Sequence, residues 1–323
     1  MFPRDVGFTM AITNKQAETK VPESGPPWVR RSFKFYLTVL VFLAATIYVL
    51  ARDAREARIS FSGKTDLVNF RLAKDFSISE LRVSGLAVSG DDIAFSVRYD
   101  SDVEASGNPV TVKGSPVLIS NFHLPQNTEV TLQTLDPGRF KLSIQPCPMW
   151  LYVQPTEVAE INVGKLTEKI RRRDTVTFHC KKAGMELRFS VQGEAQMRGI
   201  DISEFRFDET KPGVSDPKKA TVDHLIEGEL NLSRGGKELG SKLSFQPGQR
   251  FEAGGRDLTL SSLDLQPGKI SLTVKGTANK IVGDRGDSLQ PSALDLLKSD
   301  RYVQVIIVIF GLATTTLSLR KQK

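Results

Sequence analysis

Residues 129–144 read EVTLQTLDPGRFKLSI, and residues 257–274 read DLTLSSLDLQPGKISLTV. In each stretch apolar residues fall at every second position, a turn containing Pro-Gly follows, and a second alternating run returns. A period of two places one row of side chains on a buried face and the other row in water, which is the pattern of a strand. Pro and Gly between two such runs mark the turn of a hairpin. The same alternation continues on both sides, at Ile93–Val97 and at Leu81–Val83. It is punctuated by Ser89-Gly90-Asp91-Asp92, Gly235-Gly236 and Gly254-Gly255. The centre of the chain is therefore expected to be mainly β, an antiparallel sandwich-like region.

Three local similarities recur in order. Ile78–Val83 resembles Ile202–Phe207, Gly114-Ser115 resembles Gly240-Ser241, and the quoted hairpins resemble each other. The offsets are 124, 126 and 128 (202 − 78, 240 − 114, 257 − 129). A near-constant offset suggests an internal duplication. It divides the centre into a first β unit at 58–148, a connector at 149–184 and a second β unit at 185–278. Within the connector, Val158, Ile161, Leu166 and Ile170 fall at loosely helical spacing, so a short amphipathic helix is expected between Thr156 and Ile170.

Two uncharged apolar runs flank this region. Phe35–Ala51 reads FYLTVLVFLAATIYVLA and Tyr302–Leu319 reads YVQVIIVIFGLATTTLSL. Both lengths are at the short end of what crosses a bilayer as a helix. A cleaved signal peptide is the alternative for the first run, but the 34 residues before it far exceed an ordinary n-region. Both outer flanks are basic: Arg30, Arg31 and Lys34 precede the first run, and Arg320, Lys321 and Lys323 follow the second. The positive-inside rule then places both termini in the cytoplasm and the β region outside it, on the far side of the inner membrane if the source is Gram-negative. The expected order is a disordered tail at 1–34, transmembrane helices at 35–51 and 302–319, a juxtamembrane link and helix at 279–301, and a short tail at 320–323.

The net charge of +7 and pI of 9.3 would suit a nucleic-acid binder. Much of the excess, however, lies beside the apolar runs, and no extended basic patch is interleaved with aromatics. Nucleic acid is not an expected partner; the lipid bilayer is, together with a protein partner or a second copy. Lys169, Arg171, Arg172 and Arg173 form a compact basic group in the connector, a candidate contact for lipid headgroups or an acidic partner. Cys147 and Cys180 are the two cysteines, and outside the cytoplasm they are expected to form a disulfide across the connector.

Motifs for catalysis are missing from the sequence: no nucleophile elbow, no phosphate-binding loop and no dinucleotide fingerprint. His123, His179 and His224 have no metal-ligand spacing, so no metal or other cofactor is expected. Arg285-Gly286-Asp287 is read as a chance tripeptide. The leading expectation is a membrane-anchored module that binds, scaffolds or transmits a signal, with no enzyme activity. The alternatives are an oligomerising effector that alters membrane permeability, and an extracytoplasmic hydrolase.

Overall fold

The computed structural model of the protein describes residues 57–290, except 92, 99–102, 106, 149, 181–183, 192–194, 211–220, 235–236 and 239–241. In chain order the strands begin with β1 (Ala57–Thr65), β2 (Leu67–Leu72), β3 (Phe76–Ser89), β4 (Ile93–Val97), β5 (Val103–Glu104), β6 (Val110–Lys113), β7 (Val117–Leu124), β8 (Glu129–Asp136) and β9 (Arg139–Gln145). They continue with β10 (Leu151–Pro155), β11 (Ala159–Val163), β12 (Leu166–Ile170), β13 (Val176–Cys180), β14 (Met185–Ser190), β15 (Ala195–Met197) and β16 (Ile200–Arg206). The last group is β17 (Asp208–Thr210), β18 (Thr221–Asp223), β19 (Leu225–Arg234), β20 (Lys237–Glu238), β21 (Leu243–Phe245), β22 (Glu252–Gln266), β23 (Lys269–Ala278) and β24 (Lys280–Val282). A single 3₁₀ turn, Asp284–Gly286, follows. The region is mainly β and antiparallel, as its period-two patterning requires.

One long ladder runs β21–β19–β1–β23–β22–β16–β2–β8–β9–β14–β3–β6–β11–β12. A second ladder, β3–β7–β10–β13–β4–β5, branches from it. Both contain β3. Its Phe76–Val83 half pairs with β7, and its Leu86–Val88 segment pairs with β6. Gly85 lies between these halves at φ +60°, a left-handed conformation that lets the strand turn from one layer into the other. The layers meet over apolar side chains. Ile78, Leu81 and Leu124 of β3 and β7 face Val130, Leu132 and Leu142 of β8 and β9 across a cavity of about 20 Å³.

The two quoted hairpins are β8–β9 and β22–β23. In β22 the inward residues are Leu258 and Leu260, then Leu263 and Leu265. A bulge between Leu260 and Ser262 absorbs one residue and restores the phase of the pleat. The two strands approach so closely beside it that a Cβ on Gly276 would lie 1.9 Å from the Asp257 carbonyl oxygen.

Around each hairpin the strand order is the same. One set reads β2–β8–β9–β14–β3 and the other β16–β22–β23–β1–β19. In chain order β1, β2, β3, β8 and β9 occupy the places of β14, β16, β19, β22 and β23. The first strand of each run lies in the other set: β1 inserts between β23 and β19, and β14 between β9 and β3. The sets join where β2 pairs with β16.

Several expectations need correction. The segments 58–148 and 185–278 are knit together, each contributing a strand to the other's set. Ile78–Val83 and Ile202–Phe207 are not equivalent: β3 pairs with β14, β6 and β7, whereas β16 lies between β2 and β22. Their shared Ile-Ser-Glu letters are generic strand chemistry. The connector 149–184 is itself β. No helix forms between Thr156 and Ile170; β11 and β12 make a hairpin there. Ala159, Ile161 and Val163 are buried with exposed or half-buried residues between them, a period-two face that outweighs the looser helical spacing. In the link 279–301, the described part holds β24 and the 3₁₀ turn, and the expected helix lies outside the described residues.

No helix among the described residues is long and apolar enough to cross a membrane. The runs 35–51 and 302–319 lie outside the described residues, as do the tails 1–34 and 320–323 and the Gly240-Ser241 match.

Candidate functional site

The segment that carries β10 to β13 is closed by a covalent bond. Cys147 follows β9, Cys180 ends β13, and the two form a disulfide with Cα atoms 6.0 Å apart. All four strands lie between them in sequence. Trp150 lies against His179, ring centroids 5.1 Å apart and planes tilted by 57°.

The two ladders end without closing on each other. β12 is the last strand of the long ladder, and the short β5 is the last of the branch. Between them runs a groove of about 410 Å³, lined by Phe95, Val97, Val103, Ile161, Val163 and Leu166. Four of these side chains are buried, but Leu166 is 66% exposed and Val103 39% exposed. Such exposed apolar side chains at a groove mouth need a reason.

The four basic residues singled out in the sequence follow the groove-lining part of β12 along the chain, and none of them lines the groove itself. Lys169 is on the wet side of β12, and Arg171, Arg172 and Arg173 form the exposed turn into β13. Lys165, which sequence reading passed over, is exposed at the other end of β12, in the β11–β12 turn; its place in a two-residue turn before an edge strand was the signal. Asp174 does not neutralise the group. It accepts hydrogen bonds from Arg98 Nη2 and from the Arg171 N–H, both at 2.7 Å. Those bonds hold its carboxyl below the usual carboxylate range.

A second polar cluster lies where β16 meets β2 and β22. Asp208 is buried between Arg206 and Arg250, each at 3.5 Å, and Glu252 is held by Lys280 and Arg250. Burial and the Glu252 carboxyl push Glu204 up. Burial and Asp208 push Asp223 up. His224 Nδ1 lies 2.9 Å from Asp66. This ionic seam sets cations beside anions but also carboxyl beside carboxyl, and Asp208 Oδ1, Asp223 Oδ1, His224 Nε2 and Arg250 Nε have no hydrogen-bond partner among the described residues. Among the described residues no group of three or more His, Cys, Asp or Glu is arranged to hold a metal ion.

One arrangement resembles a hydrolytic triad. Ser77 Oγ is 2.9 Å from His123 Nδ1, and His123 Nε2 is 3.9 Å from Asp75 Oδ2. Ser77 and His123 are cross-strand partners on β3 and β7. The His123–Asp75 separation exceeds a hydrogen bond, and the two side chains are 57% and 64% exposed. Water therefore competes for every contact, and nothing fixes the orientation of the ring as a third group does in a working triad.

Sequence reading named Cys147, Cys180, Lys169, Arg171, Arg172 and Arg173. The structure joins the first two to each other and places the other four on the end of β12 and in the turn after it. Of the residues that make that groove, Phe95 and Val97 were legible as strand residues, whereas Ile161 and Val163 fell in the expected helix and Val103 carried no signal. Compared with protein-family models, with curated proteins and with solved structures, the chain matches none.

Proposed function

We propose that this chain is a membrane-tethered binding and scaffolding module whose β domain stands on the non-cytoplasmic side. One observation carries the reading. β1 pairs with β23 so that Ala57 lies opposite Ala278, and β24 begins two residues later. The chain therefore enters and leaves the domain at the same end. From there only residues 52–56 lead back to the apolar run 35–51, and residues 291–301 lead on to the run 302–319. At most about 3.5 Å per residue, these links reach roughly 20 Å and roughly 40 Å. Two short legs from one end fix the domain close to a bilayer and limit its rotation, which suits holding a partner in a set orientation.

The equal strand order around β8–β9 and β22–β23 supports a further element of the proposal. The region arose by internal duplication, and the two units exchanged their first strands. The exchange makes the pair mechanically one body, an advantage in a scaffold.

The topology is tested with an impermeant maleimide on intact cells expressing Lys20→Cys, Gln322→Cys or Ser244→Cys in the full chain. Labelling is expected at 244 alone, and at 20 and 322 only after permeabilisation. Labelling of position 20 or 322 in intact cells sinks the reading.

A further inference from the structure

We infer that the outer edge of β12, with the groove beside it, receives an extended acidic segment of another protein, which adds as a strand. This deepens the binding-module proposal and rests on it.

Among the described residues β12 pairs only with β11, so its other edge has no strand partner. Such an edge offers backbone N–H and C=O groups to an incoming strand. Thr167 and Lys169 project to one side of β12, and Leu166, Glu168 and Ile170 to the other, because successive side chains alternate. Leu166, Thr167 and Glu168 all line the groove wall, with the apolar Leu166 on the second side. An added strand would cover Leu166, and its own apolar side chains would enter over Phe95, Val97, Val103, Ile161 and Val163.

Charge selects the occupant. Lys165, Lys169, Arg171, Arg172 and Arg173 are exposed along this edge, against Glu168 on the strand itself. Glu160 lies opposite Lys169 on the inner neighbour β11, and Asp174 is engaged by Arg98 and Arg171. The edge therefore presents a surplus of cations.

A second copy of β12 fits poorly. Antiparallel self-pairing about a two-fold axis must centre on one residue. Centred on Thr167 it opposes Lys165 to Lys169; centred on Glu168 or on Lys169 it opposes that residue to itself. Like charges directly opposite each other destabilise a strand pair. A heterologous strand escapes this. Read antiparallel to β12, its best pattern is apolar–acid–x–x–apolar–acid: apolar residues opposite Ile170 and Leu166, carboxylates opposite Lys169 and Lys165.

The test uses the full chain in nanodiscs of neutral lipid, with a random twelve-residue display library as probe. Peptides carrying two acids four apart, each preceded by an apolar residue, are expected to be enriched. Their affinity should fall at least tenfold in Thr167→Pro, which removes an edge donor but is tolerated on an edge strand. It should fall at least as far in Lys165→Glu/Lys169→Glu, and weaken with added salt. Unchanged melting of each variant shows that the fold persists. Enriched peptides without acids, or binding indifferent to Thr167→Pro, overturn the inference. So does binding of phosphatidylserine vesicles that Lys165→Glu/Lys169→Glu abolishes and Thr167→Pro leaves intact, since headgroups need charge but no strand edge. Failure of the topology experiment leaves these binding results standing, so the two proposals fail separately.

Discussion

The strands around β8–β9 and those around β22–β23 have the same order, yet they solve the problem of the open sheet face differently. The first set is covered by a second layer: β3 turns at Gly85 into the β7–β10–β13–β4 ladder, and Phe140 and Phe189 pack 6.1 Å apart beneath it. The second set closes on phenylalanines. Phe61, Phe205, Phe207, Phe245 and Phe251 gather from β1, β16, β21 and the adjoining turns, with Phe61 stacked on Phe251 at 4.7 Å. A sheet needs its apolar face covered, and an added layer or a tight aromatic curl both suffice. Both solutions leave an end strand, the short β21 in the second set and β12 in the layered one, and the candidate site lies at the layered end.

Phe61 gives the sharpest way to break this comparison. It is fully buried, and it belongs to β1, a strand the sequence assigns to the first unit. Phe61→Ala should cost about 3–5 kcal/mol, the usual loss for a buried aromatic truncated in a core. Denaturant unfolding of the full chain in detergent measures the loss. Hydrogen exchange locates it: protection should fall in β19, β21 and β23 and persist in β7, β10 and β13. A loss centred on β2 and β3 instead would mean that β1 acts energetically with its sequence neighbours and that the exchanged strand is not a structural unit of the second set.

The disulfide tests the layered side. Cys147 and Cys180 are 33 residues apart. Closing a loop of that length in the unfolded chain is worth about 3–4 kcal/mol in the chain-entropy model. Cys147→Ser/Cys180→Ser should lose a comparable amount, with faster exchange in β10–β13 and none of the effect in β1, β22 and β23. Equal loosening of both regions would show that the bridge acts on the whole strand-exchanged body and not on the segment it closes.

These contrasts also show what the sequence disclosed. Alternation at 129–144 and 257–274 revealed both hairpins, because a half-buried strand writes its burial into every second letter. The pairing of β1 with β23 was not legible. Ile59 and Phe61 announce a strand but carry no mark of which neighbour they bury against, so adjacency in sequence suggested the wrong unit. The 159–170 hairpin was missed because short apolar runs fit both periods; the Gly164 turn, at φ +56°, was the arbitrating residue. At the site, the basic residues stood out by composition. The groove did not, since Phe95 and Val163 come from different ladders and meet only when the layers stack.

The smallest expected effect is a difference in sign between two carboxyls. On the first set, burial raises Glu186, but hydrogen bonds from Lys141 and Arg188 outweigh it and leave the group below its usual 4.5. A carboxyl lowered on folding contributes stability above its unfolded value and loses it as pH falls through the folded value. At the junction, Glu204 is raised from 4.5 by burial first and then by the neighbouring Glu252, against the opposing influence of Lys280 and Arg71. A raised carboxyl favours folding only while protonated. Its contribution is present below about pH 4.5 and is lost as pH rises through the folded value, because the native state then holds a proton that the unfolded chain has released. Glu204→Gln keeps the neutral shape without the charge. Melting of the full chain across pH 4 to 8 should therefore show Glu204→Gln above the parent at neutral pH, with the gap closing toward pH 4. Glu186→Gln should fall below the parent at neutral pH and converge from the other side. If both variants shift in the same direction, Glu204 is ionised and paired in the folded protein, and the seam at β16 is an ordinary salt-bridge network like the one on β9 and β14.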